Sequence, residues 1–227
     1  MMYDYMPVSM VDYPGKIATT VFISGCNFAC PYCHNSQLIK FKKPVRSEAE
    51  FMEYLNKRRN LIDGVCITGG EPTLWDGLYN FIKDIKDLGF SIKLDTNGSR
   101  PEVLERLLND DLIDYIAMDV KGPKDKYGLF IKNNKDIEMI VKSINLIKNS
   151  GIDYEFRTTV NEKLLSADDF LSIANMIYGC KRYILQRYKY SEGILNKDLC
   201  GGEQCDIKYL LIIKEMINDK IEEILIR

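Results

Sequence analysis

The chain has 227 residues, 46% of them hydrophobic, and its 31 basic and 33 acidic side chains leave a formal net charge of −2. That length suits one α/β domain, which buries about 70% of the surface it exposes when unfolded. The near-even charge withholds the basic face that nucleic-acid binding demands. No apolar run is long enough to span a bilayer, and Met1 to Met10 lacks the basic region and apolar stretch of a secretion signal. A cytoplasmic protein with no membrane attachment is expected. The 7 cysteines are an odd count that argues against a disulfide framework. The single histidine, His34, rules out a His-rich metal site, and any Ser-His-Asp triad would have to use it.

The first predicted strand is Thr19 to Ile23. The chain then runs into Cys26-Asn27-Phe28-Ala29-Cys30-Pro31-Tyr32-Cys33, three thiols in eight residues. Thiolate sulfur is a soft ligand suited to iron–sulfur clusters or zinc. Such centres normally take four protein ligands, so three on one loop suggest a centre with one corner left open. Zinc stays open as an alternative, with His34 or the distant pair Cys200 and Cys205 completing it, although the spacing favours a cluster.

Further strands are predicted at Val65 to Thr68, Ser91 to Leu94, Tyr115 to Met118, Tyr154 to Thr158 and Tyr183 to Leu185. They read as apolar runs buried on both faces, with little polar alternation. Helical stripes alternate with them. Leu78, Phe81, Ile82, Ile85 and Leu88 form one, stopped by Gly89. Ser99 and Pro101 read as the N-cap region of a helix carrying Val103, Leu104, Leu107 and Leu108. Ile137, Ile140, Val141, Ile144 and Ile147 form the next, and Ile207, Leu210, Leu211 and Ile217 the last, before a final strand within Ile221 to Ile226.

Strand–helix alternation of this kind implies a parallel sheet with right-handed crossovers. About six units with outer helices fit an incomplete βα barrel, a partial version of the eight-unit TIM barrel. A doubly wound open sheet is the alternative. One domain is expected over residues 1–227, with a motif-bearing core at about 12–190 and the last helix and strand in 206–227.

In βα barrels the site forms at the C-terminal ends of the strands, and unusual polar residues recur there. They are the cysteine loop, Gly69-Gly70-Glu71-Pro72, Asp95-Thr96-Asn97-Gly98, Asp119-Val120-Lys121-Gly122, Arg157 and Gln186. Gly69 and Gly70 would let a ligand approach backbone carbonyls, and Glu71 would accept from an ammonium group. Asp95 is suited to ribose hydroxyls or a cation. Lys121 reads equally well as a solvated loop charge, Cys66 and Cys180 as buried hydrophobes, Cys200 and Cys205 as free thiols in a mobile loop, and Trp75 as packing. The long segments Gly122 to Asn134 and Tyr188 to Gln204 are candidate docking loops.

Together these motifs resemble the radical S-adenosylmethionine superfamily. Val11-Asp12-Tyr13-Pro14-Gly15, the run Gly25 to Asn35, Asp95 to Gly98 and Met118 to Lys121 look more narrowly like activating enzymes of glycyl radical enzymes. The chain is most similar to activators of anaerobic ribonucleoside-triphosphate reductase. Activators of pyruvate formate-lyase tend to carry Asp-Gly-Pro-Gly where this chain has Asp12-Tyr13-Pro14-Gly15.

The resemblance implies that Cys26, Cys30 and Cys33 hold a 4Fe-4S cluster whose fourth iron chelates S-adenosyl-L-methionine. It further implies that Gly69, Gly70 and Glu71 steady the methionine ammonium, and that backbone around Tyr32 and His34 contacts adenine. Asp95, Thr96 and Asn97 would lie near the ribose or carboxylate, in an area where some relatives hold a monovalent cation. The implied reaction is reductive cleavage of the cofactor to a 5′-deoxyadenosyl radical, fed by a flavodoxin or ferredoxin-type donor. That radical would take hydrogen from a glycine of a partner, expected to be anaerobic ribonucleotide reductase. Two alternatives stand beside this reading: a radical enzyme acting directly on a small molecule or peptide, such as a deazapurine-forming synthase, and a non-enzymatic zinc or electron-transfer module.

Overall fold

The computed structural model describes residues 1–131 and 136–227. Eight strands form one sheet in chain order: β1 (Met2–Ser9), β2 (Ala18–Ile23), β3 (Gly64–Gly69), β4 (Ser91–Thr96), β5 (Tyr115–Asp119), β6 (Asp153–Val160), β7 (Arg182–Arg187) and β8 (Glu223–Ile226). β2 to β8 run parallel, and β1 alone is antiparallel, paired with β2. The sheet does not close, because its two ends, β1 and β8, do not pair. The expected partial barrel is therefore present, and its seventh parallel strand is the final one expected within Ile221 to Ile226. The antiparallel strand was not anticipated. β1 is an edge strand with Pro7 in it and three consecutive exposed residues, so it lacks the apolar signature of its neighbours.

Helices cover the outer face: α1 (Glu48–Asn56), α2 (Leu78–Asp87), α3 (Pro101–Asn109), α4 (Asp136–Lys148), α5 (Ala167–Met176), the single turn α6 (Lys197–Cys200) and α7 (Ile207–Ile217). Val65, Ile67, Ile92, Leu94, Ile116, Met118 and Phe156 face them and share one core with Phe81, Ile85, Leu104, Ile144, Phe170 and Ile213. Each such side chain, fully buried, contributes about 1.5–3 kcal/mol. The α7 stripe differs from expectation. Leu210, Ile213 and Ile217 face inward, while Ile207 and Leu211 are exposed. α1 and α5 went unread, although Ser47 and Glu50 form a capping box at the start of α1, with the Ser47 N–H 2.7 Å from the Glu50 carboxylate.

The inner face is a different surface. Cys66, Lys93, Asp95, Asp119, Glu155 and Arg157 occupy alternate positions on β3 to β6, between the apolar outward residues. The strands thus alternate after all. The polar half looked apolar in sequence because Tyr115 and Ala117 lie among it. At the floor, Tyr13 from the β1–β2 turn packs 5.9 Å from Tyr115, with Ala18 and Ala117 in the same small cluster. Near the floor the fully buried Glu155 accepts from both Arg227 terminal nitrogens at 2.9 Å and from Tyr115 Oη at 3.0 Å.

Removing one partner of a fully buried ion pair costs about 3–5 kcal/mol. Arg227 is 42% exposed, which lowers the figure. Arg227→Ala is expected to lose about 1–3 kcal/mol in urea unfolding.

Candidate active site at the cysteine loop

The cysteine loop hangs from the end of β2 and is closed at its root. Gly25 N–H donates to Leu38 O at 2.7 Å and Cys26 N–H to Ile39 O at 2.9 Å. Inside it, Cys33 N–H donates to Cys30 O at 3.0 Å and Phe28 N–H to Cys26 Sγ at 3.4 Å. Two later segments clasp the loop. From one side, Ala29 N–H donates to Phe130 O at 2.9 Å, and the Tyr32 ring lies 5.9 Å from the Phe130 ring. From the other, Asn196 N–H donates to Pro31 O at 2.9 Å, and His34 Nε2 lies 2.8 Å from Lys189 O. A carbonyl partner requires the proton on Nε2. The segments read as docking loops are therefore fastened to the cysteine loop over their described parts. Residues 132–134 of the first lie outside the described residues.

The β3 turn meets the loop's root backbone to backbone. Gly70 N–H donates to Ile23 O and Glu71 N–H to Gly25 O, both at 2.8 Å. A Cβ on Gly70 would sit 2.2 Å from Gly25 O, and one on Gly69, where φ is +117°, 2.5 Å from Ile23 N and O. Only glycine fits at either position. The pair was expected to open backbone to a ligand. Its first physical job is to let this turn press against the strand that carries the cysteines.

Glu71 is 1% exposed and does not line the cavity. Its carboxylate accepts from Thr73 N–H at 3.1 Å, Thr73 Oγ1 at 2.6 Å, Thr96 Oγ1 at 2.8 Å and Asn97 N–H at 2.6 Å. In that placement Glu71 binds the β3 turn to the end of β4. Burial raises its pKa, and the donated hydrogen bonds oppose the rise. From the same strand end, Asn97 Nδ2 donates to Asn27 Oδ1 at 3.0 Å, and Asn27 Nδ2 donates to Ser99 Oγ at 2.9 Å. Ser99, expected near a helix cap, spends its hydroxyl on the cysteine loop, and α3 starts without a side-chain cap.

These contacts enclose a cavity of about 300 Å³ lined by Cys26, Cys30, Cys33, Tyr32, His34, Gly69, Gly70, Asp95, Thr96 and Asn97. All the sequence-predicted site residues except Glu71 meet there. Asp119, Lys121, Arg157 and Gln186 line it too. The sequence marked them as polar strand ends but assigned them no role. Lys121 is no solvated charge: its side chain is 13% exposed and its Nζ lies 2.9 Å from Asp119. Cys66, Cys180, Cys200 and Cys205 are buried and free, the last two against the expectation of a mobile loop. Trp75 packs 5.1 Å from Phe81, as expected.

An alternating row of charge crosses the inner face. Lys93 pairs with Asp95. Arg157 bridges Asp95, through Nη1 at 3.2 Å, and Asp119, through Nε at 2.8 Å, and Lys121 completes the row. Burial alone would raise both aspartates. The Arg157 charge, with Lys121 beside Asp119 and Lys93 beside Asp95, overcomes this and holds them below the usual carboxylate range.

Burial pushes the thiols the other way, Cys26 up to about 12, Cys30 to about 11 and Cys33 above its ordinary value. Thiols held up by burial in this way need a positive charge close by to ionise. Among the described residues, no three His, Cys, Asp or Glu side chains gather tightly enough to hold one metal ion. The three sulfurs instead border a shared cavity, whose wall includes Tyr32, with a buried hydroxyl that lacks any hydrogen-bond partner among the described residues. A tetrahedral single ion needs its ligands drawn to one point. This arrangement fits a larger inorganic group with a small molecule beside it.

The Radical SAM superfamily profile matches residues 20–174, more than half of the chain. The chain belongs to the radical S-adenosylmethionine superfamily. It is 38% identical over 190 residues to the "Putative glycyl-radical enzyme activating enzyme MJ1227" of Methanocaldococcus jannaschii, covering 80% of this chain and 77% of that one. It is 28% identical over 180 residues to the pyruvate formate-lyase-activating enzyme of Clostridium pasteurianum, covering 75% and 73%. The fold matches Streptococcus suis SuiB bound to S-adenosylmethionine with a TM-score of 0.64 at 15% identity, over 89% of this chain and 48% of that one. These similarities define a radical S-adenosylmethionine enzyme of the activating type. No described helix is long and apolar enough to cross a membrane.

Two outcomes test the site's physics. Glu71→Gln sets an amide N–H₂ against at least one donor that now points at a carboxylate oxygen, the Asn97 N–H, and is expected to cost about 1–3 kcal/mol in urea unfolding. A carboxylate held low in the folded state takes up protons more readily unfolded. Its stabilisation is therefore complete above about pH 4 and fades as pH falls. Asp119→Asn should be less stable than the parent at pH 7, and the gap should narrow between about pH 4 and pH 2.

Proposed function

We propose that this chain activates a glycyl radical enzyme, with anaerobic ribonucleoside-triphosphate reductase as the partner. The observation that carries the reading is the convergence of three thiols from one loop on a cavity walled by the ends of β3 to β7. Cys26, Cys30 and Cys33 would hold a 4Fe-4S cluster, leaving one iron for S-adenosylmethionine. When bound and reduced by a flavodoxin or ferredoxin-type donor, these cofactors supply an adenosyl-centred radical able to take hydrogen from a glycine Cα.

The chain's own residues do the holding and shielding. Gly69 and Gly70 present their backbone at the wall, Asp95, Thr96 and Asn97 line the adjoining side, and Tyr32 and His34 lie on the cysteine loop itself. Those positions suit the methionine end, the ribose and the adenine respectively. The likeness to activating enzymes supports a glycine-bearing protein substrate. Tyr13 stands where formate-lyase activators carry glycine, and its ring fills the floor against Tyr115. That departure supports the reductase as partner. The segments that begin at Gly122 and at Tyr188, running to Asn134 and Gln204, are the ones we assign to it.

The test is anaerobic reconstitution with iron and sulfide, followed by reduction with S-adenosylmethionine. The parent should bind about four irons per chain and form 5′-deoxyadenosine. Cys30→Ala should lose both the cluster's visible absorbance and cofactor cleavage, and retention of either contradicts the ligand assignment. Incubation with the reductase should give a glycine-centred paramagnetic signal. Cofactor cleavage without that signal would keep the radical chemistry and remove the partner.

A further inference from the structure

The resemblance puts a monovalent cation, held by some relatives, in the area of Asp95, Thr96 and Asn97, and in this cavity Asp119 lies beside Asp95. The residues present do not fit one. Each of the four carboxylate oxygens already receives a charged nitrogen: Asp95 Oδ1 from Lys93, Asp95 Oδ2 from Arg157 Nη1 at 3.2 Å, Asp119 Oδ1 from Arg157 Nε at 2.8 Å, and Asp119 Oδ2 from Lys121 at 2.9 Å. Thr68 Oγ1 adds a further bond to Asp95 Oδ2 at 3.2 Å. Three cations face two anions, so the row carries one excess positive charge before any ion is added. A dissolved cation would have to displace a side chain or sit among like charges in a partly buried corner.

We propose that Arg157 is a tethered counter-cation, its guanidinium taking the place of a free alkali ion between Asp95 and Asp119. β5 and β6 set this up through register. Asp119 pairs with Arg157 on the neighbouring strand, while Asp95 pairs with Ala117, one layer deeper. The guanidinium therefore reaches sideways to one carboxylate and down to the other. Its planar fork suits two acceptors at fixed spacing, as a spherical ammonium would not. The Arg157 side chain is 12% exposed and borders the cavity, so it fixes the spacing of the β4 and β5 ends as a positioning residue. A bound ion would be lost on dialysis, whereas this one is covalently retained.

The inference draws on the proposed function only for what lies next to this corner, and its test uses metal-free protein, so either can fail alone. Melting temperatures are measured at constant ionic strength as tetramethylammonium chloride is replaced by sodium or potassium chloride. The parent chain should show no saturable alkali-specific rise. Arg157→Gln removes the charge and leaves both carboxylates in place. It should melt lower in tetramethylammonium and gain about 3–6 °C for each tenfold increase in the preferred alkali ion above half-saturation. A saturable alkali response in the parent overturns the proposal, as does a folded Arg157→Gln chain that gives none. If Arg157→Gln fails to fold in every salt, sodium-23 line broadening by the parent decides. Specific broadening refutes the tethered cation, and its absence supports it.

Discussion

The site depends on one close approach: the turn after β3 lies against the root of the cysteine loop with only glycine hydrogens between two backbones. The loop has no regular structure of its own, and its thiols are placed by what its ends are tied to. Gly25 is tied to Leu38 on one side and to Glu71 on the other. Any side chain at position 70 would occupy the space of the Gly25 carbonyl. Once the turn is seated, the Glu71 carboxylate gathers Thr96 and Asn97, and Asn97 reaches back to Asn27 in the loop. Three chain segments far apart in sequence are thereby locked in one constellation. A buried carboxylate with four donors on it is well suited to this, because unmaking any one bond strands a polar group away from water.

The electrostatic arrangement follows from the same layering. The outer face of the sheet is a hydrocarbon surface under helices, whereas the inner face carries charge in a row whose signs alternate. Burial favours the neutral form of the thiols, and the charged row near them is net positive. Three thiolates on a metal centre would bring negative charge to the rim beside Lys121, whose Nζ lies 5.9 Å from the Tyr32 ring centroid. The row thus offers charge of the sign an anionic centre needs, without titrating near neutral pH.

Much of this was legible in the sequence, for specific reasons. The βα alternation was visible because β3 to β7 and α2 to α4 carry strong apolar patterns, and the cysteine spacing needs no fold to be noticed. β1 was not visible because an edge strand with a proline and exposed residues lacks the signature of a core strand. α1 and α5 were missed although serine–acid pairs at their starts announce them. Glu71 shows what spacing leaves out. A charged residue after two glycines suggested a ligand contact, but only the partners supplied by β4 reveal that the carboxylate is internally satisfied. Arg157 and Asp119 were noticed as polar strand ends, yet their coupling rests on interstrand register, which composition and spacing do not encode.

The unpaired ends of the sheet have a mechanical consequence. A fully closed barrel is a hoop: to widen its bore, some ladder bond must break. Here β1 and β8 are free of each other, so the wall is a bracelet with a gap. Its girth can change through small increments of strand twist spread over seven interstrand seams, with every ladder bond kept. Tolerance for a bulky guest is thus built into the wall, while the cysteine loop keeps its own stitching.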